Sequence, residues 1–310
     1  MKWLLPWLLV FTIEPFFSSL LHARPREAHY LSFSVRNRHR VYLRDLKADE
    51  VSLFLNGKPV RLRFFGYRNV ETALVFLIEN SPRTARYAVS MPQFGRVNTV
   101  DRVRYHLLDS LSAVARAGPV LLAEFYKTLK VLQDFTTDED RLMNALNQLK
   151  PNVAFLDKEN IPVGRMLGRG IDLIRERAEK RKVVVLFTTT VDRESLKHLD
   201  EYRQMFRLSD VDLYVVSFAP RSVSGAGVSQ AERSNRFYFR KLVGETSGRL
   251  YLSGEYVFPQ EFIDDLMSRL SNSYTIGFYV KPNPEPLQYR VEIKVNRPKC
   301  DVTHRNLLVF

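Results

Sequence analysis

The middle of this sequence predicts an α/β fold, a doubly wound and mostly parallel sheet. The two chain ends predict a small β-sandwich-like domain formed between them. Three observations carry that expectation. Continuous apolar runs alternate with amphipathic helical stretches from Ala73 to Ser271, as in strands covered on both faces by crossover helices. Residues 30–65 and the tail from Tyr274 show β-type alternation instead, the pattern of strands with one wet face. One such small sheet is marginal by itself, so the two ends are expected to pair. The expected division is residues 1–23, a β unit at 28–68, the α/β domain at 70–271 and a C-terminal β unit at 272–310.

The elements follow in chain order. Lys2, an apolar run from Trp3 to Ile13, small residues and Ala23 have the layout of a secretory signal cleaved after Ala23. Glu14 and Pro15 interrupt the run, which argues against a permanent membrane anchor. The expected location is therefore periplasmic or extracellular. "LSFSVRNRHRVYL" reads as a pair of short strands. In "VSLFLNGKPVRLRFF", Val51, Leu53 and Leu55 alternate on one arm and Val60, Leu62 and Phe64 on the other, around an Asn56-Gly57 turn that favours positive φ.

"ALVFLIENSPRTA" puts six apolar residues, Ala73 to Ile78, into a buried strand that runs into a polar loop. The carboxyl end of such a strand is where open α/β sheets bind ligands. "TVDRVRYHLLDSLSAVARAG" spaces Val100, Val103, Leu107, Leu111 and Val114 as one helix ended by Gly118. Apolar runs at Val120–Tyr126 and Leu129–Phe135 follow. Thr137, three residues before Asp140, resembles a capping box for a helix burying Leu142, Ala145, Leu146 and Leu149. "VGRMLGRGIDLIRERAEKRK" is a further amphipathic helix, its glycines suited to close packing on a sheet. Val183–Thr189 is a buried strand, followed by a helix around Arg193–Leu208 and the run Val211–Phe218. A Ser/Gly loop at Ser222–Gln230 precedes a helix at Arg233–Thr246, the strand "RLYL" and a helix at Pro259–Leu270. "YTIGFYV", "QYRVEIKV" and "RNLLVF" complete the tail as strands.

The chain has 310 residues, a formal net charge of +13 and a single cysteine, Cys300. No internal disulfide or cysteine zinc site can form from one thiol. Removing residues 1–23 takes away Lys2 and Glu14 together, so the charge stays +13. The densest basic stretch holds Arg36, Arg38 and Arg40, which share one face if they lie on a strand. Such a face suits an anionic polysaccharide or lipid surface; export disfavours nucleic acid. Enzyme signatures are missing: there is no Gly-x-Ser-x-Gly elbow, phosphate-cradling loop or paired-His motif. His106 and His198 are expected on helix surfaces rather than as bases. The protein is expected not to be an enzyme and to have no small-molecule substrate.

Several stretches in order carry a resemblance to a known family. They are "LRDLKADEVSLFLNGKPVRLRFF", "ALVFLIENSP", "KVLQDFTTDEDRLMNALNQLKP", "KVVVLFTTTVD", "LVGETSGRLYLSG", "LSNSYTIGFYVKP" and "YRVEIKVNRP". Together, over residues 28–310, they resemble the von Willebrand factor type A domain, in the secreted bacterial form found in acidobacterial-type proteins. The resemblance implies a Rossmann-like domain that binds protein partners through a metal-ion-dependent adhesion site. That site is Asp-x-Ser-x-Ser after the first strand, a Thr on a second loop and an Asp after the fourth strand. Hydroxyls with few carboxylates leave Mg²⁺ electrophilic enough to take a partner's carboxylate.

Carried onto this chain, the pattern is degenerate. The first Asp falls on Glu79, the first Ser on Ser81 and the second Ser on Arg83, a permanent cation. The second-loop Thr falls near Pro162 and the last Asp on Thr189. The expected ligand-binding rim is Glu79, Asn80, Ser81, Arg83, Thr188, Thr189 and Asp192. No cofactor is expected. A residual divalent cation such as Mg²⁺ would have to use Glu79, Ser81 and Asp192. Arg83 is expected to pair with Glu79 or to capture an acidic group of a protein partner. The alternative is a structural or assembly subunit of the envelope with no ligand at the rim, its basic face on polysaccharide or lipid.

Overall fold

The computed structural model describes residues 27–67, 70–86, 88–91, 95–153, 161–218, 229–252, 259–280 and 287–309. The expected signal and most of the Ser222–Gln230 loop lie outside them.

The chain opens with β1 (Glu27–Asn37), β2 (Val51–Leu55), β3 (Lys58–Val60) and β4 (Leu62–Tyr67). Asn56 and Gly57 turn β2 into β3 with φ of 49° and 75°, the left-handed pair a tight hairpin requires. β5 (Thr72–Glu79) is buried at all eight positions. It leads through α1 (Pro82–Arg86), the hairpin β6 (Ala88–Met91) and β7 (Gly95–Asn98), α2 (Thr99–Asp109) and α3 (Leu111–Ala117) to β8 (Val120–Phe125). Then come β9 (Leu129–Thr136), α4 (Glu139–Gln148), α5 (Val163–Arg175), β10 (Arg181–Thr188), α6 (Arg193–Lys197), α7 (Leu199–Arg207) and β11 (Val211–Ser217). The α/β part closes with α8 (Gln230–Val243), β12 (Arg249–Leu252) and α9 (Pro259–Ser271). The tail is β13 (Ser273–Val280), β14 (Gln288–Val295), β15 (Cys300–His304) and β16 (Leu307–Val309).

The central sheet runs β12-β11-β10-β5-β8-β9. Every pairing in it is parallel except β8 with β9. Alternate residues of β5 feed the two faces. Leu74, Phe76 and Ile78 pack with Val103 and Leu107 of α2, Leu142 and Leu146 of α4 and Leu266 of α9. Ala73, Val75 and Leu77 pack with Leu167 and Ile171 of α5 and Phe239 and Leu242 of α8. The chain therefore leaves β5 on one side toward β8 and returns on the other side at β10. Strand order reverses there, between the carboxyl ends of β5 and β10, the place where open α/β sheets bind their ligands.

Strands from the two ends pair with each other: β1 with β13, β13 with β4, and β14 with β2. They form two four-stranded sheets, β15-β1-β13-β4 and β16-β14-β2-β3. Leu31, Phe33, Tyr274 and Ile276 of the first share one apolar cluster with Leu53, Leu55, Val291 and Ile293 of the second.

Several local expectations are corrected. "LSFSVRNRHRVYL" is not two strands, because β1 is one 11-residue strand that ends at Asn37. Asn37 Oδ1 accepts from the His39 and Val41 amides (2.9 and 3.0 Å) and turns the chain there. Arg38 and Arg40 therefore lie in a turn, Arg40 with φ 61°. Arg36 alone remains on the strand, its guanidinium 4.3 Å from the Tyr42 ring centroid. The three arginines share no strand face. The long helix expected from Val100 to Val114 breaks at Ser110, and the one around Arg193–Leu208 breaks at His198. Asp138, not Thr137, caps α4, its carboxylate accepting from the Asp140 and Arg141 amides (3.0 and 3.1 Å). His106 is 7% exposed and lies on the core side of α2 rather than its surface.

Candidate functional site

Glu79 ends β5, and the parallel register that pairs Ile78 with Phe187 sets it beside Thr188 at the end of β10. It is 2% exposed. Its Oε1 accepts from Ser81 Oγ at 2.6 Å and Thr189 Oγ1 at 2.9 Å. Its Oε2 accepts from Thr188 Oγ1 and from the Thr189 amide, both at 2.7 Å. A carboxylate has about four lone-pair sites, and four neutral donors fill them. Ser81 is held in turn by Thr84, whose amide donates to Ser81 Oγ (3.3 Å) and whose Oγ1 donates to Ser81 O (2.6 Å).

Asn235 on α8 steadies the second half of the cage. Its Nδ2 donates to Thr189 O (3.0 Å) and Ser217 Oγ (2.8 Å), and its Oδ1 accepts from the Val191 amide (2.9 Å). It is fully buried. In the sequence it is only an asparagine in the middle of a polar helical stretch, with nothing to mark it as buried.

Asp192 serves different partners. It caps α6, Oδ1 accepting from the Ser195 amide at 2.9 Å, while Oδ2 accepts from Ser195 Oγ and from the Val163 amide at 3.0 Å. It thus ties α6 to the first turn of α5, where Pro162 is the N-terminal flanking residue. Asn80 also faces away from Glu79. Its Nδ2 donates to Glu124 Oε2 (2.6 Å) and Lys150 O (2.8 Å), and its Oδ1 accepts from the Asn152 amide (2.9 Å). With Glu124, Tyr126, Lys130 and Lys150 it lines a polar cleft of about 410 Å³ beside the cage. Glu124, ion-paired to Lys130 at 3.2 Å, was not anticipated; its sequence signal is a lone acid at the carboxyl end of an apolar run.

Arg83 lies on α1, half-buried. The expected pair with Glu79 does not form, because Glu79 spends its lone pairs on the four donors above. The structure therefore brings together Glu79, Ser81, Thr188 and Thr189, places Asn80 in a neighbouring cleft and Asp192 in a helix cap. Among the described residues, no three His, Cys, Asp or Glu side chains are grouped to hold a metal ion. No helix among them is long and apolar enough to cross a membrane.

No family model matches the sequence, and no curated protein matches it. Solved structures do. The PilB minor pilin from Streptococcus sanguinis is similar at TM-score 0.52 and 11% identity, over 66% of this chain and 62% of the pilin. This chain thus spans less than two thirds of that pilin's length. A von Willebrand factor type A protein from Catenulispora acidiphila matches at TM-score 0.46 and 10% identity, over 92% of this chain and 74% of that one. The conserved hypothetical protein BatB from Bacteroides thetaiotaomicron matches at TM-score 0.46 and 9% identity, over 64% and 98%. Von Willebrand factor type A domains recur among the similar structures. At these identities the likeness concerns the fold alone.

Proposed function

We propose, from the premise of a fold similar to von Willebrand factor type A domains, that this protein is a non-enzymatic, exported protein-binding module of the cell envelope whose rim works without a divalent cation. The saturation of Glu79 carries the reading. In a metal-dependent rim the hydroxyl lone pairs and the carboxylate converge on the cation. Here the hydroxyl protons of Ser81, Thr188 and Thr189 point at the carboxylate and use its acceptor sites. Asp192 is likewise engaged by two amides and a hydroxyl. The residues present do not fit the group.

What the rim presents instead is Arg83. Among the described residues it makes no ion pair, and a guanidinium in that state binds a carboxylate in a bidentate, charge-assisted way. The cleft beside Asn80 offers polar groups to residues flanking that carboxylate. The hydroxyls at the rim face a carboxylate rather than a histidine base, which supports a binding rather than a catalytic role. The expected signal and the likeness to a minor pilin support the envelope location.

Thermal unfolding in EDTA and in millimolar Mg²⁺, Mn²⁺ or Ca²⁺ should give coincident midpoints. A cation held at about 100 times its dissociation constant adds about 2.7 kcal/mol, and such a shift would overturn metal independence. Binding to an array of Asp- and Glu-containing peptides should be detectable for the wild type and lost in Arg83→Glu. Equal capture by both proteins would remove Arg83 from the interface.

A further inference from the structure

The end of the central sheet opposite the rim carries a groove of about 1010 Å³. Lys182 at the start of β10 and Val211 at the start of β11 line it, with Ala28 and Tyr30 of β1 and Val309 of β16. β1 enters the fold here, so this is the end joined to the apolar run from Trp3 to Ile13. The rim lies at the other end of β10, an eight-residue strand that spans roughly 25 Å.

Three large apolar side chains stand in solvent around this groove. Leu208, 53% exposed, lines it directly. Tyr279, 44% exposed, pairs with Ala28 and so shares its face of the sheet. Leu287, 45% exposed, precedes the Gln288 that pairs with Val309. Exposed apolar residues scattered singly are ordinary, whereas a group of them marks a contact face.

Cations run beside them. The Arg63 guanidinium lies 6.0 Å from the Tyr279 ring centroid. The Lys180 ammonium lies 5.3 Å from the ring centroid of Phe64 and 5.9 Å from that of Tyr30. Those two rings meet edge to face above Gly277, where a Cβ would stand 2.9 Å from each side chain. Arg61, Arg63 and Lys180 are exposed, and among the described residues they make no ion pair. The acids lining the groove are mostly engaged. Glu179 holds Arg177 (2.5 Å), Asp210 holds Lys182 (3.2 Å) and Glu201 holds His198 (2.8 Å), which leaves Glu176.

Apolar tips, an amphipathic tyrosine and unneutralised cations on one face suit the headgroup layer of an anionic bilayer. The apolar groups enter below the headgroups while the phosphates meet the cations. A soluble polyanion would use the cations but leave Leu208 and Leu287 in water. A second copy would set the cations against their own kind, because a two-fold contact opposes the same patch on both subunits. We infer that this end of the molecule rests on an anionic lipid surface, with the rim turned away from it.

The test uses the full chain, with Cys300→Ser so that one introduced cysteine carries a fluorophore. Vesicles of phosphatidylglycerol and phosphatidylcholine carry a quencher on their headgroups. A fluorophore at Leu208→Cys should be quenched, and one at Thr128→Cys, beside the rim, should stay bright. Vesicles of phosphatidylcholine alone should leave both bright. Combining Arg61→Glu, Arg63→Glu and Lys180→Glu should abolish quenching at position 208. Arg165→Glu, Arg240→Glu and Lys241→Glu together, the same change in net charge elsewhere on the surface, should preserve it. No quenching at position 208, equal quenching at both positions, or equal loss in both triple variants would overturn the inference. A dimer in light scattering that the first triple variant breaks would give the face to a second copy instead.

Discussion

Glu79 is a carboxylate removed from water and met by hydroxyls and an amide that belong to sequence positions more than a hundred residues away. Each hydrogen bond to a charged group contributes roughly 1.5–3 kcal/mol, and each donor left buried without a partner costs about as much as it loses. Glu79→Gln keeps the size but replaces one acceptor oxygen with a donor aimed at donors. Urea unfolding should show a loss of about 2–4 kcal/mol. Thr189→Val, which removes one hydroxyl and leaves the amide bond in place, should lose about 1–2 kcal/mol. A loss under about 1 kcal/mol for Glu79→Gln would mean that the cage does not organise the rim.

Helix packing sets the next scale. α5 approaches its neighbours at its glycines: a Cβ on Gly164 would stand 2.3 Å from the Tyr202 ring of α7, and one on Gly170 would stand 2.8 Å from Leu77 of β5. Gly164→Ala should therefore destabilise by about 1–3 kcal/mol, with Tyr202→Ala restoring part of it in the double variant. Equal stability of Gly164→Ala and wild type would show that Tyr202 can move aside at no cost. Further along α7, Arg203 and Arg207 both donate to Glu245, just beyond α8, at 2.8 Å. Burial opposes the charge on Glu245, yet the hydrogen bonds from Arg207 and Arg203 outweigh it and hold its pKa below the ordinary value of 4.5. A depressed folded-state pKa means stability that is present above the unfolded value and lost as pH falls through the folded one. The urea midpoint should fall below about pH 4.5, and Glu245→Gln should flatten that slope. An unchanged slope would assign the acid sensitivity to other carboxylates.

At the scale of the whole molecule, the chain ends and the α/β unit are held together by buried arginines. Arg305, between β15 and β16, is 2% exposed and donates to Ser209 O and, at 2.7 Å, to Val211 O at the start of β11. Arg181 reaches the other way, from β10 to the start of β13. Arg305→Ala removes two charge-assisted hydrogen bonds and should cost about 2–4 kcal/mol. It should also let the amides of β13–β16 exchange ahead of those of β5 and β10. Uniform acceleration across both groups would show that the junction does not depend on this residue.

Local pattern settled the parts of this fold whose cause is local. Six consecutive apolar residues read as a covered strand, and β5 is buried throughout. The Asn56-Gly57 pair read as a hairpin, and both residues have positive φ. The glycines of α5 read as a close-packing face, and Gly164 and Gly170 are where ring and sheet approach. Glu79, Ser81, Thr188 and Thr189 were set on one rim by the resemblance to the von Willebrand factor type A pattern, and in the fold hydrogen bonds join them. Tertiary structure decided what those residues do. Sequence places Arg83 two positions from Ser81 and so within reach of Glu79, but the register of β5 on β10 delivers hydroxyls and an amide that take every lone pair first. The same holds for Arg181 and Arg305, whose acceptors lie about ninety residues away; Arg36, Arg38 and Arg40 are parted by a local turn instead, in which the Asn37 side chain accepts from amides two and four residues on. Periodicity reports which face of an element is dry; which polar group meets which is set by elements that only the folded chain brings together.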